Sequence, residues 1–256
     1  MNSQEGVPNF FEYKKSVERE RPLLTAESRL ITIDGVDGTG KSTIAKKLAK
    51  KLQERFGEDK VILVSATNLS GSPKREKLGA LAKLENITSS RLETIYIAGV
   101  NRAYEEVIVP ALRDGKIVIA DRSEVDLLRY AIWRDDKESI QKRVNYIQDG
   151  TVTHRLWAGN RIFLESDPNN ALANLKLRKH KSLWDPLSPE EAEKNAKAQK
   201  EVEKQIESMS HQGEVKITRE KVLRVEDETK REKYLDELVD RLSTGLNLTE
   251  KKAGGK

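Results

Sequence analysis

Five short runs along the chain are almost unbroken in apolar character: Leu30–Asp34 (LITID), Lys60–Ser65 (KVILVS), Lys116–Asp121 (KIVIAD), Arg161–Glu165 (RIFLE) and Lys221–Val225 (KVLRV). Short runs rich in Ile, Val and Leu suit strands covered on both faces, as in a parallel sheet. Between them the period changes to helical. Ile44, Leu48, Leu52 and Phe56 recur every fourth position, with Ala45 and Ala49 beside them and Lys46, Lys47, Lys50 and Lys51 facing outward. Leu92, Ile95, Tyr96, Gly99, Val100, Ala103 and Val107 make a second stripe that stops at Gly115, and Leu235, Leu238, Val239 and Leu242 make a late one. Strands alternating with helices predict right-handed βαβ crossovers and an open α/β sheet.

Three stretches break this rhythm. Residues 1–28 are polar and charged, with an aromatic cluster at Phe10, Phe11 and Tyr13, and read as an N-terminal extension to a domain spanning 29–246. Residues 176–212 are dominated by charge and alanine and read as a helical lid. Within the lid, Ser188-Pro189-Glu190-Glu191 is a capping box that starts a helix near 189. The stripe of that helix (Ala192, Ala198, Val202, Ile206) is thin, which predicts an outlying element with little core contact. Residues 247–256 read as a disordered tail.

Composition narrows the partners. The chain has 256 residues, no cysteine, and a formal charge of +5 spread along its length. A modest positive excess suits nucleotides and other phosphate-bearing partners without requiring nucleic acid. The lack of cysteine excludes disulfides and thiolate metal sites and fits a cytoplasmic protein. His154, His180 and His211 are too far apart for a histidine metal site. No apolar run approaches the ~20 residues of a membrane span, so no membrane partner is expected.

The sharpest chemical signal is Gly35-Val36-Asp37-Gly38-Thr39-Gly40-Lys41-Ser42, followed by Thr43, which satisfies G-x-x-x-x-G-K-[ST] between a strand and an amphipathic helix. Glycines let successive main-chain amides turn inward onto phosphate oxygens, and the following helix adds its positive end. Lys41 then reaches the β- and γ-phosphates of ATP, and the Ser42 hydroxyl ligates Mg²⁺. Asp121 ends the KIVIAD strand where a second magnesium ligand belongs, with Arg122 pointing into the same crevice. A local helix cap is the plainer reading of Asp121-Arg122. The expected architecture is therefore the P-loop NTPase three-layer α/β fold, with a parallel five-stranded sheet between helices and a helical lid.

Over about residues 30–243 the chain resembles the thymidylate kinase family of P-loop nucleoside monophosphate kinases. The resemblance rests on Asp34-Gly35-Val36-Asp37 with Gly40-Lys41-Ser42-Thr43, Ser70-Gly71-Ser72-Pro73 with Glu76-Lys77-Leu78, and Asn101-Arg102 with Val109-Pro110-Ala111-Leu112, Gly115 and Asp121-Arg122. It continues through Phe163-Leu164-Glu165-Ser166-Asp167-Pro168 with Ala171-Leu172 and Arg178, and through Val225-Glu226-Asp227. The resemblance implies Mg·ATP as donor, Asp37 on the acceptor sugar, Arg102 on the acceptor base, and Arg122 on the phosphates between which transfer occurs. It also implies a homodimer through helices beside the acceptor site, and a lid cation, for which Arg178, Lys179 and Lys181 are candidates because position 38 is glycine where some members carry an arginine.

The departures fall on the acceptor side. Ala98 stands where the family has a stacking aromatic residue four positions before Arg102, Thr67 and Asn68 replace its arginine and glutamate, and Ser123 replaces its aromatic after Asp-Arg. Two other activities compete with monophosphate phosphorylation. Asp121-Arg122-Ser123 also looks like the Glu-Arg-Ser element of deoxynucleoside kinases, although residues 65–72 contain no carboxylate to act as base. An ATP-binding regulator without turnover is the third reading. Tyr130 and Trp133 read as core, Arg129 and Arg143 as facing either acceptor or solvent, and Trp157 and Trp184 as packing the 151–160 connection and the lid.

Overall fold

The computed structural model describes residues 25–65, 97–134, 140–145, 156–178, 185–186, 188–209, 215–246 and 248. The aromatic cluster at residues 10–13, the segment 66–96 with Thr67 and Asn68, and Lys179, Lys181 and Trp184 lie outside the described residues.

Strands β1 (Thr25–Gly35), β2 (Val61–Ser65), β3 (Ile117–Asp121), β4 (Leu156–Glu165) and β5 (Lys216–Lys221) form one sheet in the order β2-β3-β1-β4-β5. Every pairing is parallel. Each crossover therefore needs a helix: α1 (Lys41–Phe56) follows β1, α2 (97–113) precedes β3, and α3 (Val125–Trp133) follows it. A short α4 (140–145) comes next. Then α5 (Pro168–Lys176), α6 (Pro189–Met209) and α7 (Glu228–Gly245) complete the chain.

The sheet's two faces bury different partners. Ile31, Ile33, Ile117, Ile119, Ile162 and Leu164 pack beneath α1 and α7, which contribute Ile44, Leu48 and Leu52, and Leu235, Leu238 and Leu242. On the opposite face Leu30, Val118 and Ala120 pack against Val100, Tyr104 and Ile108 of α2. Farther along, Trp157 and Phe163 of β4 pack with Val125 and Leu128 of α3 and Val202 and Ile206 of α6. Helix α2 widens into a single π turn at Tyr104–Ile108. Pro110 sits just beyond and has no amide for the Glu106 carbonyl, so the helix loses a rung there.

Three expectations are corrected. First, β1 begins at Thr25 and not at Leu30, so residues 25–28 belong to the sheet. A register shift between Glu27 and Ile31 interrupts its pairing to β4, and Gly159 faces the Glu27–Ser28 backbone so closely that a Cβ there would lie 2.7 Å from the Ser28 Cα. Trp157 accordingly belongs to β4. Second, the last strand is Lys216–Lys221, and Val225–Asp227 lie in the connection to α7, where Asp227 caps the helix by accepting from the Lys230 amide at 2.8 Å. An edge strand is half solvated, so KITREK alternates and shows no apolar run, whereas Leu223 of the expected strand is 53% exposed. Third, α6 is not outlying. It starts at the expected cap, with Ser188 Oγ accepting from the Glu191 amide at 3.2 Å, and then packs on α3. Its inner face buries Asn195, Gln199 and Glu203 among the alanines, and these polar side chains hid the stripe.

Candidate active site

The loop from Gly35 to Gly40 leaves β1 at the carboxyl edge of the sheet and feeds α1. Gly40 is its N-cap in the left-handed region (φ 86°), and neither a side-chain cap nor an acidic residue occupies the first turn. That helix end is thus uncommitted to any side chain of its own and suits an anion. Gly38 is the tightest position. It has φ +91°, its carbonyl accepts from Asn174 Nδ2 at 2.9 Å, and a Cβ on it would lie 2.3 Å from the Ala171 carbonyl oxygen. The first turns of α5 therefore clamp the loop.

Lys41 is buried and folds back on the loop, with Nζ donating to the carbonyls of Gly35 and Val36 at 2.7 Å each. Burial, and then the Arg122 guanidinium, push its pKa down to about 7. The amine is in effect parked on two carbonyls. Ser42 and Thr43 are exposed at the start of α1.

Asp37 is buried in the loop and held from three sides. Arg122 Nη2 reaches its Oδ1 at 2.5 Å, Tyr130 donates its hydroxyl to Oδ2 at 2.9 Å, and Arg129 Nη2 lies 3.5 Å from Oδ2. Arg122 itself holds φ 80°, a left-handed conformation that costs a side-chain-bearing residue energy. It is fixed there by the Ile33 carbonyl, which accepts its amide at 3.1 Å, and by ion pairs to Asp37 and Asp126. Asp126 is buried as well. Burial alone would raise its carboxyl, but the guanidinium of Arg129, followed by that of Arg122, brings it below the ordinary range. The same carboxylates, Asp126 first, keep Arg129 charged despite complete burial.

Behind this cluster lies a second polar knot. Ser123 donates to both oxygens of Asp34 at 2.9 and 3.0 Å, and Arg161 Nη2 donates to Glu124 at 2.7 Å. Burial, then Asp126, raise the Asp34 carboxyl to about 7 against the pull of Arg161. Because the folded pKa lies above the unfolded value of 3.8, the folded state binds the extra proton between those values. Ionised Asp34 therefore costs stability increasingly from pH 4 to 7. Asp34→Asn is expected to gain on the parent by on the order of 2–3 kcal/mol between pH 5 and pH 8 in urea melts; a gap that does not move with pH would reject the assignment.

Asp121, paired in register with Ile33 and Ser65, is half-buried, and its Oδ1 is buried without a hydrogen-bond partner. An orphaned carboxylate oxygen at the mouth of the phosphate loop fits a magnesium ion or its bound water. Among the described residues no cluster of three ligating side chains exists.

The geometry brings together Lys41, Asp37, Arg122 and the loop. Ser42 opens α1 and Asp121 ends β3 beside them, whereas the other expected residues sit on α2 and after α5. Ala98 and Arg102 share the exposed face of α2, where Arg102 pairs with Glu106 at 2.6 Å. Arg178 follows α5, 4.0 Å from Asp185. The sequence showed neither Asp126 as a partner of Arg122 nor Arg129, expected to face acceptor or solvent, as a buried partner of Asp37 and Asp126; Tyr130, expected in the core, is buried but also holds Asp37. A signal existed: VDLLRYAIW is apolar around most of its circumference, which marks a buried helix, and a buried helix must pair its charges.

A five-stranded parallel sheet in this order, with a glycine-rich loop between its central strand and α1, defines a P-loop protein of the α/β class. The thymidylate kinase family model matches residues 33–230, most of the chain, and the chain belongs to that family. It is 40% identical to the thymidylate kinase of Anaplasma marginale (strain Florida) over 96 residues, 36% of this chain and 44% of that protein. It is 36% identical to that of Wolbachia pipientis wMel over 92 residues, 36% of this chain and 46% of the relative. The chain thus spans less than half the length of these curated relatives. In fold it is similar to the thymidylate kinase of Ehrlichia chaffeensis, with a TM-score of 0.58 at 18% identity, over 83% of this chain and 97% of that one.

Proposed function

We propose that the protein transfers the γ-phosphoryl group of ATP, with Mg²⁺, to the phosphate of a nucleoside monophosphate, thymidylate or a related deoxynucleotide. The observation that carries this reading is the buried set of Lys41, Asp37 and Arg122 around the phosphate loop. Family membership supports ATP as donor. Ser42 and Asp121 are the residues that would hold Mg²⁺, which supplies charge neutralisation on the phosphates.

The chain's own side chains do the positioning. Lys41 leaves the Gly35 and Val36 carbonyls for the phosphates, Arg122 bridges donor and acceptor, and Asp37, fixed by Tyr130, receives the acceptor sugar. A monophosphate with its second pKa near ~6 is already largely dianionic at pH 7, so no general base is needed. The lid, with Arg178 as its cation, excludes water that would otherwise hydrolyse ATP. The setting we propose is cytoplasmic, with a homodimer formed through helices beside the acceptor site, readable by light scattering. No helix among the described residues is long and apolar enough to cross a membrane.

The test is ADP release with Mg·ATP against a panel of ribo- and deoxynucleoside monophosphates and the corresponding nucleosides. Turnover with a monophosphate is expected. Turnover with nucleosides alone would move the activity to hydroxyl phosphorylation, and none with any acceptor would leave only ATP binding.

Lys41 adds a pH signature. Its amine is charged below about pH 7 in the nucleotide-free protein and loses its proton above that, whereas a bound polyphosphate restores the charge. ATP binding is therefore expected to take up close to one proton at pH 8 and almost none at pH 6, measured by calorimetry in buffers of different ionisation enthalpy. Equal uptake at both values would reject it.

A further inference from the structure

Arg129 is wholly buried, carries a full charge, and has no part in the reaction outlined above. Its Nε and Nη2 lie 3.4 and 3.3 Å from Asp126 Oδ1, and Nη2 also lies 3.5 Å from Asp37 Oδ2. Its third nitrogen donates to Asn195 Oδ1 on α6, and its guanidinium sits 4.3 Å over the Tyr130 ring. Arg129 is thus pinned from three directions, whereas Arg122, the arginine that must meet phosphate, is paired to both of the same carboxylates.

That arrangement poses a problem of charge. Asp37 and Asp126 are both buried, and each holds Arg122. An acceptor phosphate recruits Arg122 only by drawing it from those carboxylates, and a carboxylate left buried without a counter-ion is strongly unfavourable. With Arg129 fixed beside them, the two acids keep a cation when Arg122 turns outward. We propose that Arg129 is a positioning residue of the transfer reaction: it is the standing counter-ion of Asp126 and Asp37 that makes Arg122 available to the acceptor phosphate. The proposal rests on the reading of the protein as a nucleoside monophosphate kinase. Asn195 holds the second guanidinium in place when the first turns outward.

The test compares Arg129→Met, which keeps volume and removes charge, with the charge-balanced Arg129→Met/Asp126→Asn and with Arg129→Lys. With Mg·ATP and thymidylate, or whichever monophosphate the panel selects, Arg129→Met should raise the acceptor KM more than about thirtyfold while the ATP KM stays within about threefold. The double variant should bring the acceptor KM back to within about fivefold of the parent, because Arg122 then faces one carboxylate and not two. Arg129→Lys, which keeps the charge, should also stay within about fivefold.

An unchanged acceptor KM in Arg129→Met would overturn the proposal, as would a double variant no better than the single one, since a packing role gains nothing from removing Asp126. If Arg129→Met does not fold, the double and lysine variants decide: a tenfold rise in both at parental melting temperature overturns it. Absence of turnover in the parent protein with every monophosphate sinks the kinase reading and this inference with it, whereas parental turnover with an indifferent Arg129 sinks the inference alone.

Discussion

Lys41→Met is expected to reduce monophosphate-dependent ADP release by at least about a hundredfold while leaving the protein folded and no less stable at pH 6. The loss of rate follows from charge: phosphoryl transfer is catalysed mostly by preorganised cations around the equatorial oxygens, and removal of one such donor costs roughly 10²–10³ or more in rate. The stability half follows from burial. The Lys41 pKa falls from 10.5 in the ordinary state to about 7 in the fold. Below pH 7 the lysine is protonated in both states, and the folded state bears the whole cost of burying an ammonium. Methionine relieves that cost, so the variant should melt no lower than the parent at pH 6, and any advantage should shrink toward pH 10. Near-normal turnover would remove the phosphate loop from the mechanism; a large loss of stability at pH 6 would mean that the two carbonyl contacts outweigh desolvation.

The difference between what could and could not be read from the residues follows from burial. Strands β1, β3 and β4 are covered on both faces and β2 over part of its length, with Leu63 exposed, so their Ile, Val and Leu runs stood out, and the glycines of the loop stood out because few other residues tolerate its turns. Edge strand β5 needed apolar residues on only one side, and Ile217 among Lys and Arg is a faint signal. In α6, Asn195, Gln199 and Glu203 point inward because partners such as Arg129 and Arg219 already wait there, which periodicity cannot register. Asp126 and Arg129 illustrate the same limit within the site. Charge in a helix suggests solvent until the surrounding apolar residues show that both faces are covered. Ser123 is a milder case: expected from the resemblance only as a departure on the acceptor side, it closes a hydrogen bond to Asp34 in the interior.

Gly38→Ala should damage the loop from within. The position holds φ +91°, costly for any side chain, and the added Cβ would sit 2.3 Å from the Ala171 oxygen and 2.9 Å from its carbon. Those atoms belong to the backbone of α5, anchored by the Asp167 cap and Pro168, so they cannot yield as a flexible side chain would. Either the loop or α5 must shift, with a loss of about 2–4 kcal/mol in stability and more than tenfold in ATP affinity. Gly57→Ala supplies the control. Its φ is +105°, but the nearest atoms, Asp59 Oδ1 and Lys60 Cγ, belong to flexible side chains, so it should lose about 1–3 kcal/mol and keep ATP affinity unchanged. The contrast also bears on the missing loop arginine. With the α5 backbone against position 38, a side chain there meets main-chain atoms, which is why the proposed mechanism takes its further cation from Arg178 and not from the loop. A Gly38→Ala protein with parental ATP affinity would show that α5 yields at no cost, and the glycine at this position would then have some other cause.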